Sequence, residues 1–486
     1  MIRVPETYHN YIDGDWVGSE TGDTITLRNP ADTTDVIGEF QQSSSEDAEQ
    51  AVAAAVSAAS TWADTPGPSR GEILRGAAHR LEDRKNELTE TLAREEGKTL
   101  AEAEPEVQRA VNIFYYYAER ARDYGGAKRS ASSQDTRLYT VREPMGVAAV
   151  ITPWNYPIAI PAWKMAPALT AGNAVVFKPA SATPNVTRKL IECLDEAGIP
   201  DGVINYVTGP GSEVGDTFMR HEDVDAVSFT GSRQVGEMVY DTVTEDRKRV
   251  QTEMGSKNPA VVTANADLDE AVEIVGGGTF GVTGQACTAT SRAIVHESVH
   301  DEFLDRIVAY AENIDVGPGL SGFDMGPQAT ENELEGTLEY IEIGRDEGAT
   351  LEAGGNKLDE DQHANGHFVE PTVFSGVESA MQIAQEEIFG PVLAVIQVSD
   401  FDKAITVAND TEFGLSAGIT TTNHREANQY VDEVDYGVIK INETTTGLEL
   451  HVPFGGMNAS SSETYREQGD AGLDFFSITK TVYNNY

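Results

Sequence analysis

Gly-Val-Ala-Ala-Val-Ile, at residues 146–151, is a short run of small and apolar residues that is typical of a buried strand. Helical patterns lie at 161–171 and 184–197, and further strand-like runs recur at 174–177, 203–207 and 225–229. Strands that alternate with helices favour a parallel sheet covered by helices on both faces. The pattern therefore predicts an α/β fold.

A second alternating set follows. Helical patterns at 267–280 and 300–313 separate strand-like runs at 259–263, 292–297 and 392–397. A chain of 486 residues is too long for one ordinary hydrophobic core. We therefore expect two or three domains, two of them built on Rossmann-like parallel sheets.

The flanking segments differ from these two sets. Residues 8–40 are predicted to form short strands and turns, and helices are predicted from Ser45 to about Trp62, over 69–96, and from Leu100 to about Tyr124. Residues 130–143 alternate between apolar and polar types, which indicates an exposed strand, and 477–483 reads as another strand.

The charge of the chain is unusual. It has 80 acidic and 35 basic residues, a net charge of −45 and a pI near 4.4. Such a surface repels nucleic acid and anionic membranes, so neither is an expected partner. The acidic residues are scattered along the whole chain, which excludes a disordered acidic tail. We interpret the charge as that of a protein from a high-salt cytoplasm, where salt screens self-repulsion.

Two cysteines do not make a disulfide framework. The N-terminal residues Met1–Pro5 have no apolar core of signal-peptide length, and no apolar run is long enough for a membrane helix. We expect a soluble, cytoplasmic protein, and we predict no metal site.

Residues 280–287, Phe-Gly-Val-Thr-Gly-Gln-Ala-Cys, place Cys287 behind two glycines and a glutamine. Small residues let backbone amides and a substrate approach a thiol closely, and a thiolate is a strong nucleophile. A buried structural cysteine in a glycine-rich turn is the alternative interpretation of this segment.

Three motifs are suited to a phosphate or a ribose. Gly231 and Ser232 lie between a strand and a helix, where a turn presents amides to a phosphate, and Gly211 begins a second glycine-rich turn. Neither spacing is that of an ordinary dinucleotide fingerprint, so tight turns remain the alternative. Lys178 ends a strand, and ligands of α/β folds bind beyond this end of the strands. A lysine that is only exposed to solvent is the alternative interpretation.

Three other motifs contain side chains suited to catalysis or to ligand binding. Asn155, in a stiff loop after Thr152 and Trp154, offers an amide that could hold an oxyanion. Glu253 precedes small residues and could activate water. The segment 386–391 pairs a carboxylate with an aromatic ring and ends in Gly-Pro. A structural turn, a surface acid and a helix end are the respective alternatives.

Together with the Cys287 segment, and in their order and spacing along the chain, these six motifs resemble the aldehyde dehydrogenase superfamily from about Tyr11 to Tyr483. The resemblance implies NAD(P)-dependent oxidation of an aldehyde to an acid. It makes Cys287 the nucleophile that forms a thiohemiacetal and, once hydride has passed to the nicotinamide, a thioester. Asn155 and the Cys287 amide hold the oxyanion, and Glu253 activates the hydrolytic water.

The resemblance also implies a set of cofactor contacts. Lys178 and Glu387 would bind the riboses, Phe389 would flank the nicotinamide, and Ser232 would meet the pyrophosphate. The full set of cofactor-binding residues implied is Thr152, Trp154, Lys178, Ser181, Gly211, Gly231, Ser232, Glu387 and Phe389.

Two residues depart from the usual family pattern. Ser256 stands where members often have a second glycine, and Ala286 stands where many have cysteine or another small or basic residue. The implied domains are cofactor-binding (1–124 and 146–256), catalytic (257–465) and a β extension (125–145 and 466–486) that joins subunits into a dimer or tetramer.

Cofactor preference is predicted from Ser181, which replaces a glutamate common in NAD-preferring members. A glutamate repels a 2′-phosphate and a serine can bond it, so we expect NADP, with NAD also possible.

The segments 287–292, 449–456 and 465–469 are most similar to those of 2,5-dioxopentanoate (2-oxoglutarate semialdehyde) dehydrogenases of oxidative pentose breakdown. Trp163 and Val282 stand where some succinate-semialdehyde dehydrogenases have arginines. Succinate-semialdehyde or broad-range oxidation, a thioester or ester hydrolase, and an inactive scaffold are the alternatives, although the last two need no ribose contacts.

Overall fold

A computed structural model describes residues 5–486 of the chain. The prediction that the N-terminus lacks a signal peptide rests largely on residues 1–4, which lie outside the described residues. The strands are β1 Thr7–Tyr8, β2 Asn10–Ile12, β3 Asp15–Val17, β4 Thr24–Asn29, β5 Asp32–Gln41, β6 Lys128–Arg129, β7 Thr136–Pro144, β8 Val147–Ile151, β9 Ala174–Lys178, β10 Ile204–Tyr206, β11 Ala226–Thr230, β12 Arg249–Glu253, β13 Asn258–Val262, β14 Thr290–His296, β15 Thr350–Ala353, β16 Lys357–Leu358, β17 Phe368–Val369, β18 Thr372–Ser375, β19 Val392–Val398, β20 Ser416–Thr420, β21 Val438–Ile441 and β22 Ser477–Asn485.

The α-helices are α1 Ser45–Asp64, α2 Gly67–Asp83, α3 Lys85–Glu96, α4 Leu100–Arg120, α5 Ala159–Ala171, α6 Pro184–Glu196, α7 Asp216–Arg220, α8 Arg233–Glu245, α9 Leu268–Phe280, α10 Glu297–Glu312, α11 Glu331–Asp346, α12 Gln382–Gln385, α13 Phe401–Asn409, α14 His424–Glu433 and α15 Gly469–Phe475. Every strand and helix predicted from sequence is present, which confirms the α/β class, although some bounds differ.

The first large sheet has seven strands in the order β12-β11-β8-β9-β10-β2-β3. The strands from β12 to β10 are parallel, and β2 and β3 add an antiparallel edge. Successive residues of β8 face opposite sides of the sheet, as in any strand. Val147 and Ala149 pack with α1, α7 and α8, whereas Ala148 and Val150 pack with α2–α6. Burial on both faces explains why the run at 146–151 is apolar throughout.

The second large sheet also has seven strands, in the order β15-β18-β19-β14-β13-β20-β21. Only the pairing of β15 with β18 is antiparallel. Alternate residues again serve two cores: Val261 and Ile294 belong to one, and Ala260 and Val262 to the other.

A separate three-stranded antiparallel sheet, β22-β7-β6, joins two distant parts of the chain. β7 and β22 pair continuously from Ser477 opposite Pro144 to Asn485 opposite Thr136. These strands fall within the segments predicted to form the β extension. The domain division at 1–124, 125–145, 146–256, 257–465 and 466–486 stays a prediction.

Three predicted bounds were wrong. The helix predicted over 69–96 is two helices that meet at Arg84, whose backbone (φ −96°, ψ 11°) leaves the helical region. Arg84 donates hydrogen bonds to Glu87 and Glu192, a tertiary arrangement without a glycine or proline signal. α4 ends at Arg120, after which residues 121–123 form a turn and the Tyr124 hydroxyl donates to the Leu473 carbonyl, and β7 begins only at Thr136.

Candidate active site

The parallel strands of the first sheet end at one edge, and the predicted motifs follow those ends. The register pairs Ile151 with both Lys178 and Phe229, and Thr230 with Glu253. The loops after β8, β9, β11 and β12 therefore emerge side by side, as expected for a ligand site in an α/β fold.

A cavity of about 780 Å³ lies at this edge. All but two of the predicted site residues line it, namely Thr152, Trp154, Asn155, Lys178, Gly211, Gly231, Ser232, Cys287, Glu387 and Phe389. The chain thus brings together residues up to 237 positions apart (389 − 152 = 237) in a single cavity.

Ser181 and Glu253 are the two that do not line the cavity. Ser181 is exposed in the turn between β9 and α6, three residues after the lining residue Lys178. Glu253 is buried, and in the sequence it directly precedes Met254 and Gly255, which line the cavity.

Cys287 lies in a turn held by the side chain of Asn258. The Asn258 amide donates to the carbonyls of Cys287 and Ala289, both at 2.8 Å, and its Oδ1 accepts from the Ser416 amide at 3.0 Å. Asn258 begins β13, so the central sheet fixes the turn. Sequence reasoning gave Asn258 no role, although it was present in the Glu253 motif.

The turn before Cys287 is strained. Val282 (φ 52°) and Thr283 (φ 55°) are both β-branched and both adopt left-handed backbone conformations, which such residues rarely do. The amide of Val282 donates to Glu102 Oε1 at 2.5 Å, and Gln328 donates to the Thr283 carbonyl at 3.2 Å. Tertiary contacts thus maintain this conformation next to the thiol.

Asn155 is buried and directed toward the Cys287 loop. Its Nδ2 donates to the carbonyl of Gln285 at 2.9 Å, and its backbone carbonyl accepts from Lys98 at 2.8 Å. An amide nitrogen carries two hydrogens, so one remains for an oxyanion.

Glu253 is held by two donors. The Gly456 amide donates to Oε2 at 2.9 Å and the Ser461 hydroxyl to Oε1 at 3.1 Å. Burial, aided by the negative charge of Glu467, raises the pKa of Glu253 to about 8. A carboxylate with this pKa can exchange protons near neutrality, which is what a general base requires.

The electrostatic surroundings of Cys287 favour the neutral thiol. Burial raises the pKa of Cys287 above its ordinary value, and the carboxylates of Glu387, Glu253 and Glu467 act in the same direction. Because the free thiolate is disfavoured, the thiol has to lose its proton as it attacks a substrate.

Glu467 and Lys164 form a buried network that sequence reasoning missed. Lys164 forms an ion pair with Glu467 and donates to the Ser228 hydroxyl at 2.8 Å, and the Trp163 indole donates to Glu467 at 2.8 Å. The sequence did contain a signal for this network, because Lys164 lies in an otherwise apolar helix. A buried charge without a partner is costly, so a buried lysine indicates a nearby carboxylate.

Lys178 and Glu387 are the charged residues predicted to bind riboses. Burial lowers the pKa of Lys178 to about 8, and among residues 5–486 the Lys178 Nζ has only the Pro179 carbonyl, at 3.1 Å, as a partner. Burial raises the pKa of Glu387 to about 7, and its Oε1 accepts from the Ser256 amide at 2.9 Å. A Cβ on Gly255 would overlap the Glu387 carboxylate, so a larger residue at that position would displace this carboxylate.

Trp154 and Phe389 form an aromatic corner of the cavity. Their ring centroids are 5.4 Å apart at an interplanar angle of 86°. Phe389 has a left-handed backbone (φ 59°). Such an edge-to-face pair is rigid and gives a flat ligand ring a defined apolar wall.

Two kinds of feature, a metal-binding cluster and a membrane-spanning helix, are absent from the described part of the chain. Within residues 5–486, no group of three or more His, Cys, Asp or Glu side chains is placed to hold a metal ion. In the same range, no helix is both long enough and apolar enough to cross a membrane.

The sequence model of the aldehyde dehydrogenase family matches residues 16–482. An α-ketoglutarate semialdehyde dehydrogenase of the halophile Haloferax volcanii is 60% identical over 98% of this chain and 99% of its own. An α-ketoglutaric semialdehyde dehydrogenase of Bacillus subtilis is 46% identical over 99% of both chains.

Solved structures agree with this assignment. The crystal structure of a betaine aldehyde dehydrogenase from Staphylococcus aureus in complex with NAD⁺ is 33% identical to this chain. It has a TM-score of 0.95 over 98% of this chain and 94% of its own. The resemblance drawn from the six motifs is confirmed, and the chain belongs to the aldehyde dehydrogenase family.

Proposed function

We propose that the protein oxidises 2,5-dioxopentanoate to 2-oxoglutarate with NAD(P)⁺ through a covalent intermediate on Cys287. One observation carries the proposal: Cys287, Asn155, Lys178 and Glu387 meet in one cavity, and the buried Glu253 is close enough for its charge to act on Cys287. The names of the Haloferax and Bacillus relatives support the choice of substrate.

The cavity residues fit a dinucleotide. The hydroxyls of Thr152 and Thr230 are buried without a hydrogen-bond partner among the described residues, so a ligand can supply one. Ser232 is the N-cap residue just before α8, and its side chain makes no capping hydrogen bond, which leaves its hydroxyl and the helix N-terminus for a phosphate. Lys178 and Glu387 would hold riboses and Phe389 would face the nicotinamide. When bound, the nicotinamide supplies an acceptor for the hydride of the substrate.

The chain's own residues would carry out the covalent steps. The Cys287 sulfur bonds to the aldehyde carbon as it loses its proton, and the Asn155 amide together with the Cys287 backbone N–H stabilises the resulting oxyanion. After oxidation the acyl group remains on sulfur as a thioester. Glu253 then takes a proton from water, which attacks the thioester carbon. The C–S bond breaks to release the acid, and the proton passes from Glu253 to the departing sulfur to restore the thiol.

The preference for NADP over NAD is proposed from Ser181. The residue is exposed, three positions after Lys178, and carries no negative charge that would repel a 2′-phosphate. NAD remains the alternative.

We also propose a dimer or tetramer joined through the β6–β7–β22 sheet. Apolar and aromatic side chains of this region are exposed, including Ile478 at 46% and Tyr483 at 75%. Exposed groups of this kind mark interfaces. Light scattering after gel filtration in molar KCl would report the mass, and a monomer would contradict the proposal.

The experiment that tests the proposed function mixes the protein with 2,5-dioxopentanoate and either NADP⁺ or NAD⁺ and follows absorbance at 340 nm. A panel with succinate semialdehyde and an uncharged aldehyde ranks substrates by kcat/KM. Hydrolysis of a thioester without any cofactor-dependent oxidation would instead favour a hydrolase, and no activity of either kind would favour a scaffold.

A further inference from the structure

A group of side chains outside the 780 Å³ cavity includes Tyr156, which lies close enough to Cys287 that the thiol's charge, in addition to burial, raises the pKa of the Tyr156 hydroxyl. We define the second wall as Tyr156, Trp163, Val282 and Phe454, none of which lines that cavity. Tyr156 follows Asn155 in sequence, and Val282 belongs to the turn that leads to Cys287. The rings of Trp163 and Phe454 lie 6.2 Å apart. A substrate that reaches Cys287 from outside the cofactor cavity would contact these side chains.

Helix α4 lies against the second wall with one polar face. Glu102, Glu106 and Arg109 follow one another at intervals of four and three residues, so they share a side of the helix. Glu102 accepts from the Val282 amide, and Glu106 accepts from the amides of Ile158 and Ala159. Arg109 continues the row, with its guanidinium carbon 5.6 Å from the Trp163 ring.

The guanidinium of Arg109 has no direct ionic partner among the described residues. Its guanidinium donates to the Leu448 carbonyl and, at 2.8 Å, to Gln468 Oε1, which are both neutral acceptors. Among residues 5–486 no carboxylate oxygen lies within 4.0 Å of it. Arg120, on the same helix, pairs instead with Asp123 and Asp470. The carboxylates of Glu106 and Glu449 act on Arg109 only from beyond 4.0 Å. The guanidinium therefore still lacks a directly bonded carboxylate, and a ligand anion can supply one.

The rest of the molecule makes such a cation necessary for an anionic substrate. The chain carries a net charge of −45, and the side chains whose charges act on Cys287 are the carboxylates of Glu387, Glu253 and Glu467. A substrate carboxylate is repelled by this field unless a local cation offsets it.

We propose that Arg109 binds the carboxylate of the semialdehyde while its aldehyde end reaches Cys287, and thereby selects anionic over uncharged aldehydes. The planar guanidinium can form two parallel hydrogen bonds to a carboxylate, which a lysine cannot. This inference rests on the proposed function, because it assigns a specificity-determining residue to that reaction.

The test compares kcat/KM for 2,5-dioxopentanoate and for pentanal, an uncharged aldehyde of the same length, at one fixed KCl concentration. Arg109→Met should lower kcat/KM for the anion by about 10- to 150-fold, the factor that corresponds to losing a hydrogen bond to a charged group. The change should lie mainly in KM, and kcat/KM for pentanal should stay the same or rise. For 2,5-dioxopentanoate, kcat/KM of Arg109→Lys should lie between the values of the wild type and of Arg109→Met. Arg120→Met is the matched control, and it should leave the ratio of kcat/KM for the two aldehydes unchanged.

A binding measurement without turnover supports the kinetics. 2-Oxoglutarate should protect Cys287 from alkylation by iodoacetamide, as read by mass spectrometry, and Arg109→Met should raise the protecting concentration by a similar factor. Cys193 is fully buried and does not interfere. If Arg109→Met slows both substrates alike, Arg109 only clamps the 448–468 loop and the inference is wrong. If the wild-type protein prefers pentanal, the proposed function fails as well; if it prefers 2,5-dioxopentanoate and Arg109→Met does not change that preference, only the inference fails.

Discussion

Replacing Glu253 with glutamine tests the assignment of the water-activating base. With a pKa of about 8, the carboxylate form makes up about 1% of the protein at pH 6, roughly 10% at pH 7 and roughly 90% at pH 9. A base works only when deprotonated, so a step that depends on it should accelerate about 90-fold over this range. An unshifted glutamate would be almost fully ionised throughout and would give almost no change.

Stopped-flow absorbance at 340 nm separates the steps. The wild-type protein should show a steady-state rate that rises with pH from 6 to 9 wherever hydrolysis of the thioester limits turnover. Glu253→Gln should keep a burst of reduced cofactor and then turn over about 10²- to 10⁴-fold more slowly, because the neutral amide cannot take a proton from water.

The exposed Glu245, at the end of α8, provides a matched control, since Glu245→Gln should leave both phases unchanged. Steady-state turnover of Glu253→Gln that equals the wild type, at a pH where hydrolysis limits the rate, would show that another group is the base. Loss of the burst itself would indicate that Glu253 acts earlier, during the attack of Cys287 on the aldehyde.

Three further predictions concern the nucleophile, salt and the cofactor. Cys287→Ala should abolish oxidation and retain cofactor binding by fluorescence titration, whereas Cys193→Ala should cost little in rate; substantial turnover without Cys287 would exclude it as nucleophile. Melting temperature and activity should rise from dilute buffer to molar KCl because salt screens the −45 charge, and a flat or falling melting curve would refute the high-salt interpretation. Ser181→Glu should weaken NADP by about 1–2 kcal/mol, or about tenfold, and leave NAD nearly unchanged; an unchanged NADP/NAD ratio of kcat/KM would remove Ser181 from the 2′ position.

The sequence was sufficient for the architecture and for most of the site. Apolar runs at 146–151 and 174–177 predict buried parallel strands because both faces of such a strand are covered, and the structure has β8 and β9 there. The motifs after these strands could be assigned to one edge of the sheet because all parallel strands end on the same side. Cys287 and Glu387 could be assigned to the same site only through the resemblance of the whole motif set. The sequence around each of them was equally compatible with a structural role.

The supporting residues emerged only from the folded chain. Asn258 fixes the Cys287 turn, and Lys164 and Glu467 pair across 303 residues. The break of the 69–96 helix at Arg84 and the left-handed backbone of Val282 likewise have no local sequence signal. Contacts between residues far apart in sequence set these conformations, and they outweigh local preference because burial, ion pairing and hydrogen bonding act on whatever side chains the fold brings together. The pKa of Glu253 and the lack of a direct ion pair at Arg109 within residues 5–486 have the same origin, since both depend on which groups surround a side chain and on how far water is excluded from it.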